Sequence, residues 1–181
     1  MNPDSRRIGP LRCLSACKPR VQRAPLSFFY CSHCKSIFRS WTQPDFYRLQ
    51  CCGSPLKPIQ PQPLLAPFEN ISLTYSIEGG LNENCIKVFW QGQTPCWLYL
   101  ETYTGGQQIW LDEKKRPPAV FALAGEDAYA YCDNDPCEKC SFRCKNGFVL
   151  YAFYTELGLF SIPLNQIAAT SGSPVSRTSV R

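Results

Sequence analysis

Ile71-Ser72-Leu73-Thr74-Tyr75-Ser76-Ile77-Glu78 is the stretch that decides the fold class of this chain. Ile71, Leu73, Tyr75 and Ile77 alternate with short polar residues. That period of two sets one face of a strand on a core and the other in water. Gly79-Gly80 ends the run, and the alternation returns at Ile86, Val88 and Trp90 until Gly92 stops it. Residues 96–103 read as another strand, with Cys96, Leu98 and Leu100 on one side and Trp97, Tyr99 and Tyr103 on the other. Gly105-Gly106 marks a hairpin into Gln107-Gln108-Ile109-Trp110-Leu111, and residues 119–123 and 148–154 add two β-rich runs. A helical period is not sustained anywhere, although residues 123–131 have room for one short helix. The expectation is a mainly β protein in which residues 70–167 form an antiparallel β-sandwich or partly open barrel of six to eight strands.

Outward from this domain the composition shifts. Pro58, Pro61, Pro63 and Pro67 predict a stiff Pro-rich linker over residues 61–69. Upstream, residues 27–60 read as a small cysteine module, and residues 1–26, with four prolines and scattered arginines, read as a disordered basic tail. Residues 168–181, rich in Ser and Thr, read as a flexible tail. The 44% hydrophobic content of the 181 residues excludes a wholly disordered chain. Arg6, Arg7, Arg12, Lys18, Arg20 and Arg23 stand against Asp4 alone in the first 25 residues, so much of the formal +5 charge lies at that end. A basic end of this kind is an electrostatic tether for nucleic acid or an acidic partner. An apolar core of signal-peptide length does not follow it, nor does any run approach the roughly 18 apolar residues of a membrane span. The chain is therefore expected to be intracellular, cytoplasmic or nuclear, without a membrane partner and with reduced thiols.

Reduced thiols give the cysteines their meaning. The first cluster is Cys31-Ser32-His33-Cys34 followed by the adjacent pair Cys51-Cys52. Two cysteines on one tight knuckle aim both sulfurs inward and supply half of a tetrahedral zinc site. The second half is normally another spaced pair, whereas here the cysteines are adjacent. In extended backbone neighbouring side chains point to opposite sides, so chelation by both requires a special turn. If one of Cys51 and Cys52 ligates alone, Cys13, Cys17 or His33 is left to complete the set. The local phrase, aromatic residues before Cys31-x2-Cys34 and then Cys52-Gly53-Ser54-Pro55-Leu56, resembles the zinc ribbons of nucleic-acid-binding and adaptor proteins over about thirty residues.

The second cluster is Cys132-x4-Cys137-x2-Cys140-x3-Cys144, interleaved with the turn residues Asp133, Asn134, Asp135 and Pro136. Four thiolates exceed the charge of one zinc ion, and Lys139, Arg143 and Lys145 are at hand to offset the excess. Two zinc sites are expected, with an iron–sulfur cluster as the alternative for Cys132, Cys137, Cys140 and Cys144. A composite site joining Cys31 and Cys34 to Cys137 and Cys140 satisfies the same chemistry.

Catalytic patterns find little support in the residues. Pro136-Cys137-Glu138-Lys139-Cys140 is half of a zinc-deaminase signature, but the upstream ligand and glutamate triplet is missing, since Ala124 and Gly125 precede Glu126. His33 is the single histidine and sits between two candidate ligands, which leaves no imidazole for a nucleophile–base pair. The reading is therefore a zinc-stabilised, non-enzymatic regulatory or adaptor protein that binds a protein partner through Trp97, Tyr99, Tyr103 and Trp110. The alternative is a nucleic-acid-binding zinc protein in which Lys35, Arg39 and Arg48 contact phosphates and Trp41 stacks on a base.

Overall fold

A computed structural model describes residues 25–41, 48–64, 67–78, 84–128 and 145–164. The basic tail, the Cys132–Cys144 cluster and the C-terminal tail lie outside the described residues. The chain divides into two compact units, Arg20–Gln62 and a larger one comprising Met1–Pro19 and Pro63–Arg181.

The smaller unit is built from short strands. Strand β1 (Ser27–Tyr30) pairs with β2 (Ile37–Ser40), strand β3 (Gln50–Cys51) pairs with β4 (Ser54–Pro55), and β5 (Pro58–Ile59) returns to the other side of β1. Its fully covered apolar side chains are few: Phe28, Phe29 and Cys31 among the described residues. So small a core stabilises little by itself, because most of its surface stays in water.

The larger unit is a two-sheet sandwich. It comprises β6 (Gln62–Pro63), β7 (Ile71–Glu78), β8 (Asn84–Gly92), β9 (Trp97–Glu101), β10 (Gly106–Trp110), β11 (Ala119–Leu123), β12 (Phe148–Tyr154) and β13 (Gly158–Leu164). One sheet runs β10-β9-β12-β13-β6 and the other β11-β8-β7. The period-two residues Ile71, Leu73, Tyr75 and Ile77 all face one core with Ile86, Val88 and Trp90 of β8 and Leu98, Leu100, Leu150 and Phe160 of the facing sheet. The mainly β expectation is thereby borne out. The segment expected to hold a short helix forms a 3-10 turn, Gly125–Ala128. The stretch read as a linker contributes β6.

Strand β9 departs from simple alternation, since Trp97, Leu98, Tyr99 and Leu100 are all buried. Leu98 and Leu100 face the central core, so Trp97 and Tyr99 project from the opposite face, where Trp97 stacks on Phe153 with ring centroids 5.4 Å apart. A polar knot closes one end of the sandwich. The buried Asp127 carboxylate accepts hydrogen bonds from the hydroxyls of Thr102 (2.7 Å) and Thr104 (2.5 Å) and from the Thr104 amide (3.2 Å). Lys145, fully buried, donates to the Asp127 carbonyl at 2.9 Å. Such satisfaction is what a buried charge requires. Tyr103 lies across the neighbouring turn and donates to the Asn146 carbonyl. Gly147 makes room for that ring: its φ is +96°, and a Cβ there would sit 2.3 Å from the Tyr103 hydroxyl.

Candidate metal centre

Two turns of the smaller unit create the site. In the first, β1 runs into Cys31, the Cys31 amide donates to the Ser36 carbonyl at 2.9 Å, and the Lys35 amide returns to the Cys31 carbonyl at 2.8 Å. Lys35 takes a left-handed φ of 61° to close this loop, which brings Cys31 and Cys34 to the same side. The second turn is the β3–β4 hairpin. Cys51 pairs with Ser54, and the two residues between them, Cys52 and Gly53, both have positive φ (50° and 76°). Two consecutive left-handed residues are the hallmark of the tightest hairpin turn, for which glycine is well suited and cysteine is not.

That backbone answers the difficulty posed by adjacent cysteines. Cys52 has left the extended conformation, so its side chain no longer points away from that of Cys51. The four sulfurs of Cys31, Cys34, Cys51 and Cys52 all lie within 4.8 Å of one another. Cys34 Sγ is 3.3 Å from Cys51 Sγ, and Cys51 Sγ is 3.8 Å from Cys52 Sγ. Sulfurs held tetrahedrally at about 2.3 Å from an ion stand about 3.8 Å apart, so the cage has the size of a tetrathiolate site. Cys31 is buried, Cys51 is half-buried, and Cys34 and Cys52 are exposed, which leaves one side of the cage open to solvent.

The thiols perturb each other strongly. Hydrogen bonding with the Ser36 hydroxyl, 3.2 Å from Cys34 Sγ, and then with the Ser36 backbone, with a smaller contribution from Cys51, holds the Cys34 thiol down at about 6. Its ionisation pushes Cys51 up to about 12, chiefly through the shared hydrogen bond, and raises Cys52 for the same reason. One negative charge settles on the cluster and resists the next. A multivalent cation relieves that conflict, and four thiolates are the donor set that zinc and iron prefer.

His33 is exposed, beside the cage, and does not belong to the group of four. Sequence reasoning passed over Ser36; its hydroxyl contact follows only from the knuckle's closure. Of the residues assigned to nucleic acid, Arg39 and Trp41 come together, with the guanidinium 5.8 Å from the centre of the indole, while Lys35 lies over the Tyr30 ring at 5.9 Å. Arg48 is exposed just ahead of β3. The residues assigned to a protein partner are dispersed: Trp97 and Tyr99 are buried, Tyr103 packs edge-on to Phe148, and Trp110 alone is largely exposed, at 70%. Cys85 and Cys96 are free thiols of the sandwich, and Cys96 Sγ sits 3.0 Å from the Thr155 hydroxyl.

No protein-family model matches this chain, and no curated protein sequence does. Solved structures do match, among them the crystal structure of the superoxide reductase from Treponema pallidum. It is 18% identical, the match covers 78% of this chain and 99% of that one, and the TM-score is 0.49. The matched structure is that of an enzyme, where a non-enzymatic regulatory or adaptor protein was expected. At this identity and TM-score the likeness transfers no activity to the present chain. The burial of Trp97 and Tyr99 also removes two of the four anchors on which the adaptor reading rested. Among the described residues, no helix is long and apolar enough to cross a membrane.

Proposed function

We propose that Cys31, Cys34, Cys51 and Cys52 bind a single iron ion, and that the smaller unit is a one-electron redox module. The convergence of all four sulfurs within 4.8 Å, on two turns distant in sequence, carries this reading. Four thiolates in a tetrahedral cage suit iron or zinc. The exposure of Cys34 and Cys52 favours iron, because an ion open to solvent on one side can exchange electrons with a visiting molecule, whereas zinc has no redox chemistry. When bound, iron supplies a reversible ferric–ferrous couple. The protein's part is to hold four sulfurs in place, with Ser36 hydrogen-bonded to one of them and cationic side chains around a cluster of net negative charge.

Zinc in the same cage is the second reading, and the small size of the unit's apolar core favours it. With only Phe28, Phe29 and Cys31 fully covered, metal ligation is a direct source of folding free energy. Metal analysis and the visible spectrum of protein purified without added metal separate the two. Iron gives a coloured protein whose thiolate-to-metal absorption bleaches on reduction and returns in air. A colourless protein with one zinc per cage selects the structural reading, and a cage without metal under reducing conditions refutes both. The Cys132, Cys137, Cys140 and Cys144 group is proposed as a second site on its spacing alone, so the stoichiometry becomes two metals per chain if it ligates independently.

A further inference from the structure

The charge around the cage is one-sided. Every Lys, Arg, Asp or Glu among the described residues of the smaller unit is a cation: Lys35, Arg39, Arg48 and Lys57. Residues 20–62 as a whole hold six such cations against one acid, Asp45. The larger unit does not share this character, since residues 1–19 and 63–181 together hold thirteen cations and thirteen acids. Like charges gathered on so small a unit repel one another and weaken it, so the arrangement calls for something that the fold itself does not supply.

Their placement says what. Lys35 follows Cys34 directly and is exposed with it. In the β3–β4 hairpin the Leu56 amide donates to the Leu49 carbonyl at 2.8 Å, which extends the ladder and sets Arg48 and Lys57 at its open end. Arg39 lies against Trp41, which is 49% exposed. Both elements that carry the sulfurs thus carry cations too, Lys35 on the first turn beside Cys34 and Arg48 and Lys57 at the end of the hairpin away from Cys52.

We infer that this cationic unit docks an acidic redox protein, which exchanges an electron with the metal through the Cys34 and Cys52 edge. The inference rests on the iron reading proposed above and names the partner of that site. Charge complementarity steers such an encounter and sets its orientation. In the transfer itself one electron leaves the reduced partner and converts ferric to ferrous ion, the partner is oxidised by one electron, and no covalent bond forms or breaks. Nucleic acid uses the same cations but gains nothing from a metal edge. Among the described residues of the smaller unit the one large exposed aromatic, Trp41, already has Arg39 over its ring, which makes a poor run of stacking platforms.

The test uses the full-length, metal-loaded protein and a reduced flavodoxin as an acidic electron donor, with stopped-flow bleaching of the visible band as the readout. The expected second-order rate falls at least about tenfold between 20 and 300 mM salt, the behaviour of an electrostatically steered encounter. The K35E/R48E/K57E variant is expected to lose a similar factor at low salt while metal content and spectrum stay as in wild type. K114E/K115E, on the larger unit, is expected to leave the rate unchanged. Flavodoxin binding to the zinc-loaded form, measured by calorimetry, should show the same salt and charge dependence, which tests docking even if zinc proves to be the resident metal. An iron-loaded protein reduced at a rate indifferent to salt and to charge reversal overturns the inference and leaves the iron site standing. Tight, salt-sensitive binding of single-stranded DNA that is lost in K35E/R48E/K57E, without any flavodoxin binding, overturns it in favour of nucleic acid.

Discussion

Cys34 Sγ lies 3.3 Å from Cys51 Sγ, although the two residues belong to separate turns 17 positions apart. Nothing local forces that approach. It follows from β1–β2 and β3–β4 each closing a tight turn toward a common point, and it predicts that the four cysteines act as a unit. Replacing any one by serine is expected to reduce metal retention at least about tenfold, with Cys31→Ser the most severe because its sulfur is buried. Metal per chain after dialysis against a chelator measures the loss, and full retention in Cys52→Ser removes Cys52 from the ligand set.

The hairpin that carries Cys51 and Cys52 depends on backbone more than on contacts. A Cβ on Gly53 meets no atom within 4 Å, so Gly53→Ala tests conformation alone. At a φ of +76° the cost is expected to be about 1–2 kcal/mol, without loss of any side-chain interaction. Denaturant melts of the metal-loaded and metal-free forms report it. An unchanged melt in both means that the turn does not impose a left-handed residue there.

Asp127 is the acceptor for three donors from Thr102 and Thr104. Asp127→Ala removes the buried carboxylate that all three donors share, and a loss of about 2–3 kcal/mol is expected. Thr104→Val, which removes one donor and keeps the carboxylate, is expected to cost about 1 kcal/mol. Equal effects from the two variants refute the carboxylate as the organising group.

Tyr154 provides the opposite case. Its hydroxyl is buried and has no hydrogen-bond partner among the described residues, and desolvation, with a smaller contribution from Cys96, holds its ionisation well above the usual range for a phenol. Tyr154→Phe keeps the ring against Phe160 and removes only the stranded oxygen. Stability is expected to stay level or rise by up to about 1 kcal/mol, whereas Phe160→Ala is expected to lose about 3–5 kcal/mol through the cavity it opens. A clear loss in Tyr154→Phe points to a partner for the hydroxyl outside the described residues.

Much of the fold was legible because a strand with one buried face writes its period into its residues. Ile71 to Glu78 and Asn84 to Gly92 were readable on that ground, and both flank the core as expected. Strand β13 escaped notice for the converse reason. Leu159 and Phe160 are adjacent, both buried, and Pro163 follows, a combination that breaks alternation and argues against a paired strand. Pro163 is nonetheless accommodated opposite Val149.

The sequence by itself determined the β character, the position of several turns and the candidacy of Cys31, Cys34, Cys51 and Cys52 as a sulfur cluster, because those follow from local pattern and spacing. It could not decide whether the sulfurs of Cys51 and Cys52 come together. That turned on a left-handed φ of 50° at Cys52, a conformation that the residue type disfavours and that only closure of the β3–β4 hairpin imposes. Nor could it decide which aromatics reach the surface. Trp97 and Trp110 are cross-strand neighbours, yet one is 1% exposed and the other 70%, since burial depends on what long-range packing lays over each face.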